Sequence, residues 1–150
     1  MKIMVYEARK DELADLNRLA KELDVELDIS EAVPSMETAE LAAGCQAVSM
    51  LGQGKIDREL LDRFHQTGVG YLSTRTIGHN HIDVAYAKEL GIRVCNASYA
   101  PNGVADFTIM MILMCLRHYK QALWRGYVND FSLGGLQGRE MKDLTVGVIG

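Results

Sequence analysis

The sequence has no apolar run long enough to cross a bilayer. Its longest, IMMILMCL at Ile109–Leu116, is far short of the roughly 20 residues a spanning helix requires and reads as a buried helix. No membrane partner is expected. An excess of positive charge is also missing: 16 basic and 20 acidic side chains are interleaved for a net charge of −4. No basic stripe exists to neutralise a phosphate backbone, so nucleic acid is not an expected partner. Cysteine is sparse. Cys45, Cys95 and Cys115 are odd in number, widely separated and never in CxxC spacing, a pattern of reduced core thiols rather than of a disulfide or metal centre. The opening MKIMVYEARK lacks the long apolar stretch and small-residue cleavage site of a signal peptide, so the expected compartment is the cytoplasm. Internal repeats and low-complexity segments are absent as well.

What is present is 150 residues with 48% apolar content, enough to form a core. Apolar runs alternate with segments of helical period. KIMVYEA (Lys2–Ala8) reads as a strand, and KDELADLNRLAKEL (Lys10–Leu23) as a helix with Leu13, Leu16, Leu19 and Leu23 along one face. VELDIS is a second strand, METAELAAG a short helix closed by Gly44, and AVSML a third strand. Helix IDRELLDRFHQTG, strand VGYLST, helix HIDVAYAKELG and strand RVCNA follow. Five strands joined by helical crossovers predict a parallel, doubly wound α/β sheet of the flavodoxin-like kind. Ligands of such sheets bind beyond the carboxyl ends of the strands, which singles out the loops after Ala8, Leu51, Thr74 and Ala97.

The pattern changes after NASYAPNG. A helix is predicted from Val104 to about Tyr127, then a glycine-rich loop, LGGLQGRE, and a last strand, LTVGVIG, at Leu144–Gly150. A boundary near Pro101 divides the chain into domains 1–100 and 101–150. A long helix thus starts the second domain, and its closing apolar run ends on a glycine, the way a buried strand delivers its chain to a phosphate-binding turn; one glycine does not by itself establish such a turn.

Two loops could carry chemistry. STRTIGHNHID (Ser73–Asp83) leaves a strand, passes Gly78 and enters a helix; its backbone amides either converge on an anion such as a carboxylate or form a plain turn. Arg75 lies just before that turn. His79, His81 and Asp83 alternate as metal ligands would in an extended segment, but Asn80–Asp83 opens a helix, where a carboxylate is explained by the helix dipole, and no metal is expected. NASYAPNGVAD (Asn96–Asp106) is either a domain linker or a pocket wall, with Tyr99 offering an apolar body and a polar tip to a small substrate. Met110, Met111 and Met114 read as adaptable core.

Together these loops resemble the D-isomer-specific 2-hydroxyacid dehydrogenases, NAD-dependent enzymes that interconvert 2-oxo acids and D-2-hydroxy acids. The likeness is densest in YLSTRTIGHNHIDVAYAKELGIRVCNASYAPNGVADFTIMMILMCLR, Tyr71–Arg117, and is closest to the D-lactate dehydrogenase branch, which includes the vancomycin-resistance D-lactate dehydrogenases. It implies that the backbone at Ile77 and Gly78 holds the substrate carboxylate with Arg75 nearby, and that Tyr99 lines the pocket. By the same resemblance residues 101–150 are the first helix and strand of a Rossmann NAD-binding domain, Val104 lies against the nicotinamide of NAD, and Gly150 is the first glycine of a G-x-G-x-x-G turn. The catalytic arginine, glutamate and histidine of the family would follow residue 150, and subunits would pair as a homodimer. The chain would then be the front portion of an enzyme reducing a 2-oxo acid such as pyruvate, and inactive alone. His79 and His81 depart from the family pattern, as does the lack of a proline two residues before Tyr99. The alternative from another class is a non-catalytic flavodoxin-like ligand-binding or regulatory module.

Overall fold

Five four-residue strands, β1 (Lys2–Val5), β2 (Glu26–Ile29), β3 (Ala47–Met50), β4 (Tyr71–Thr74) and β5 (Arg93–Asn96), pair into one sheet in the computed structural model, which describes residues 1–149. Every pairing is parallel and the spatial order is β2-β1-β3-β4-β5, the flavodoxin-like arrangement. The register aligns Val5 with Ser49, Ser49 with Ser73 and Ser73 with Cys95. The carboxyl ends of β1, β3, β4 and β5 therefore share one edge, and the loops leaving them are neighbours.

The chain divides into two units, Met1–Tyr99 and Ala100–Gly150. In the first, three helices accompany the sheet: α1 (Leu13–Glu22), α2 (Arg58–Gln66) and α3 (Val84–Glu89). Buried Met4, Val48, Met50 and Leu72 of the strands pack with Leu60, Leu61 and Phe64 of α2. Tyr6 completes this core, its ring centroid 6.1 Å from that of Phe64. Burial of such side chains drives the assembly. The starts of α2 and α3 are fixed by capping carboxylates: Asp57 accepts from the Leu60 amide at 3.3 Å and Asp83 from the Tyr86 amide at 3.0 Å. On α1 the expected leucine face is only half covered, with Leu13 and Leu16 partly buried and Leu19 and Leu23 exposed.

Several expectations are corrected. METAELAAG forms only a 3-10 turn at Ala39–Ala42, too short to nucleate an α-helix. The long second-unit helix is two, α4 (Asn102–Leu116) and α5 (Tyr119–Tyr127), separated at His118, whose φ of 50° is left-handed and cannot continue a right-handed helix. No residue of α4 is buried, so Met110 and Met111 lie exposed rather than in a core; this unit contributes too few other elements to cover a helix that is apolar all round. Cys45 is buried, whereas Cys95 and Cys115 are exposed. LTVGVIG forms no strand over residues 144–149, because among the described residues this unit has no other strand to accept its hydrogen bonds. Among the described residues no helix is long and apolar enough to cross a membrane.

Candidate active site

The bend after β4 is held from inside. The Arg75 amide donates to the Met50 carbonyl at 2.7 Å, keeping the chain on β3 for one residue past the strand. Three successive carbonyls then find internal donors: the Ala97 amide reaches the Thr76 oxygen at 3.0 Å, Asn96 Nδ2 the Ile77 oxygen at 2.8 Å, and Thr76 Oγ1 the Gly78 oxygen at 2.7 Å. Because the Thr76 hydroxyl spends its one proton on Gly78, its 2.7 Å contact with Thr74 Oγ1 is a bond it accepts.

A trans peptide points its C=O and the following N–H in opposite directions. Fixing the carbonyls of residues 76, 77 and 78 therefore turns the amides of Ile77, Gly78 and His79 outward. Ile77 and Gly78 are exposed, and among the described residues no acceptor takes their amide protons. Outward-facing donors at the carboxyl edge of a parallel sheet are complementary to an anion with oxygens to share, such as a carboxylate.

Arg75 sits behind this bend with its side chain largely covered. Nη2 donates to the carbonyls of Tyr6 at 3.0 Å and Glu7 at 3.1 Å and lies 3.4 Å from the Glu12 carboxylate, while Nη1 donates to Ser49 Oγ at 3.1 Å. Its fork is thus engaged with the β1–α1 loop and with β3, and it braces the bend against both. Its Nε is buried with no hydrogen-bond partner among the described residues. Tyr99, 58% exposed, lies three residues past Asn96 on the loop whose Ala97 amide pins the bend. Val104, 61% exposed, occupies the first turn of α4 in the second unit, and Gly150 lies outside the described residues.

His79, His81 and Asp83 do not converge. His79 is exposed, the His81 ring lies against Gly52, and Asp83 caps α3. The Tyr86 amide, and then Arg58 at 3.3 Å, hold the Asp83 carboxyl below its ordinary pKa. No group of three His, Cys, Asp or Glu side chains able to hold a metal occurs among the described residues.

Sequence reasoning did not single out Thr76 and Asn96, on which the outward turn of the amides depends. The alternation Thr74-x-Thr76 was a usable signal, since residues two apart on an extended segment share a face. Nothing local marked Asn96, whose contact crosses from the end of β5 to the bend after β4.

The profile of the family described as "D-isomer specific 2-hydroxyacid dehydrogenase, catalytic domain" matches residues 3–143. An aromatic 2-oxoacid reductase of Clostridium sporogenes is 40% identical over the whole chain, which covers 46% of that protein. The solved apo-structure of D-lactate dehydrogenase from Escherichia coli superposes with a TM-score of 0.81 at 31% identity, over 93% of this chain and 45% of that one. The NAD-complexed D-isomer specific 2-hydroxyacid dehydrogenase of Lactobacillus delbrueckii ssp. bulgaricus superposes with a TM-score of 0.69 at 27% identity, over 96% and 45%. The chain spans less than half the length of the curated relatives it matches.

Proposed function

The chain belongs to the D-isomer specific 2-hydroxyacid dehydrogenase family, and we propose that it serves as the substrate-capturing front of an NAD-dependent enzyme that reduces a 2-oxo acid, such as pyruvate, to the D-2-hydroxy acid. One observation carries this reading: the carbonyls of residues 76 to 78 are tied inward, leaving the Ile77 and Gly78 amides free to bind a carboxylate. Relatives are named for lactate and for aromatic 2-oxoacids. Those acids differ in their side chains and share a carboxylate beside the reacting carbon, the feature that a pair of backbone amides would recognise.

In this assignment the bend orients the acid, Arg75 keeps the bend in register, and Tyr99 closes one side of the pocket. NAD supplies the hydride when bound. The residues described fit that cofactor as far as they reach: Val104, aliphatic and exposed on the first turn of α4, offers a flat apolar contact for a nicotinamide ring. Gly150 would open the glycine turn for its phosphates. The arginine, glutamate and histidine that polarise the carbonyl and donate its proton are placed after residue 150, and residues 101–150 are assigned to the nucleotide-binding domain. The exposed apolar surface of α4 supports pairing of two subunits through that domain.

Titrating the 150-residue chain with pyruvate while following its amide NMR signals tests the reading. Saturable shifts at Ile77 and Gly78, with no consumption of NADH by the chain alone, are expected. Pyruvate that leaves both amides unmoved refutes the assignment.

A further inference from the structure

A second group of convergent amides lies at this edge, and a side chain of the same chain accepts from all of them. In the order β2-β1-β3-β4-β5 the direction of winding reverses between β1 and β3, and open parallel sheets take their ligands in the crevice at that reversal. Here the crevice holds Glu7. It lies two residues past β1, is 5% exposed, and has a φ of 53°, a left-handed value that a glutamate keeps only where its surroundings impose it.

Its carboxylate is fully engaged. Oε2 accepts from the amides of Leu51 and, at 2.8 Å, Gly52; Oε1 accepts from the Gln53 amide at 2.7 Å. Three successive amides converging on one anion form a nest of the kind that binds carboxylates and phosphates. The main chain of Glu7 is pinned as well: its amide donates to the Ala32 carbonyl at 3.0 Å and its own carbonyl accepts from Arg75 Nη2 at 3.1 Å. The His81 ring packs against Gly52 of the nest, so close that a Cβ there (φ 103°) would stand 2.8 Å from it.

We propose that Glu7 is a built-in ligand: its carboxylate fills the anion nest at the β1/β3 reversal, fixes residues 51–53, and leaves the Ile77–Gly78 bend as the open carboxylate site of this edge among the described residues. Glu7 is then a positioning residue, and its role in directing substrate rests on the bend being the substrate's anchor. A tethered carboxylate competes for the nest intramolecularly, so an incoming acid has to displace it to enter the unproductive site.

The test empties the nest. Glu7→Gly relieves the left-handed backbone and removes the carboxylate; wild type and variant are titrated with sodium acetate under amide NMR, with sodium chloride at equal ionic strength as control. In the variant, the Leu51, Gly52 and Gln53 amides are expected to shift saturably with acetate and not with chloride, and in the wild type with neither. Their hydrogen exchange is expected to quicken at least about tenfold in the variant and to slow again when acetate is added. A folded variant whose three amides ignore acetate, or exchange as slowly as in the wild type, overturns the proposal. Should Glu7→Gly not fold, Glu7→Gln keeps the size and places an NH2 where an oxygen accepted; wild-type exchange at residues 51–53 in that variant overturns it equally. The Ile77 and Gly78 signals in the wild-type spectra report separately on the bend, and their silence toward acetate refutes the substrate reading without touching the filled nest.

Discussion

Asn96 Nδ2 donates to the carbonyl oxygen of Ile77 at 2.8 Å, so the last residue of β5 holds the bend that follows β4. The contact sets a peptide plane, and through it the direction of the Gly78 amide. Asn96→Ala should leave the sheet folded and weaken pyruvate binding about tenfold, the worth of one hydrogen bond to a charged group. Asn96→Asp should weaken it further, because a carboxylate replaces the donor and adds a like charge beside the anion site. Both are read from amide titrations with pyruvate; unchanged affinity in Asn96→Ala would separate the contact from the site.

Gly78 does not have a left-handed φ, and a Cβ placed on it meets nothing within 4 Å. Gly78→Ala should therefore keep its stability or gain up to about 1 kcal/mol from a stiffer unfolded chain. The added methyl would stand among the outward amides, so pyruvate should bind more weakly. A thermal melt and a titration of one variant together distinguish a ligand-facing glycine from a structural one.

Tyr6 is fully buried with its hydroxyl donating to the Thr38 carbonyl at 2.7 Å, and burial pushes its pKa up to about 12 from an ordinary 10.0. Below pH 10 the phenol is neutral both folded and unfolded, and its contribution to stability is fully present. Between about 10 and 12 only the unfolded chain ionises, so stability falls as pH rises, by about 2–3 kcal/mol at the upper limit. Urea midpoints measured from pH 9 to 12 should decline more steeply in the wild type than in Tyr6→Phe. That variant should start about 1 kcal/mol lower at neutral pH for want of the hydrogen bond.

His118 holds its left-handed backbone between α4 and α5 without a side-chain cap. His118→Gly should raise stability by about 1 kcal/mol and His118→Val should lower it, because a β-branched side chain tolerates that conformation worst. Circular-dichroism melts of the two variants against the wild type would show the order.

The sheet was readable because short apolar runs alternate with helical segments: Met4, Val48 and Leu72 lie in the core where those runs placed them. The run KIMVYEA also drew Tyr6 to Ala8 into the first strand, and there the sequence misled, since the backbone turns left-handed at Glu7 to serve contacts 44 to 46 residues away. The break at His118 carries neither glycine nor proline, so nothing local announced it. LTVGVIG has the composition of a strand, but a strand is made by its neighbour as much as by itself. At the site, the glycine between β4 and α3 marked where a ligand could sit. What aims its amides lies on other elements: Asn96 on β5, and the β1–α1 loop and β3 gripped by Arg75.

The apolar surface of α4 has a practical consequence for anyone purifying this chain. Phe107, Ile109, Met111 and Leu113 all stand open, on more than one side of the helix. Ammonium sulfate strengthens contacts of that kind. The helices of the second unit, rather than the well-packed sheet, will therefore govern retention on a phenyl resin and the growth of light scattering as the stock is concentrated.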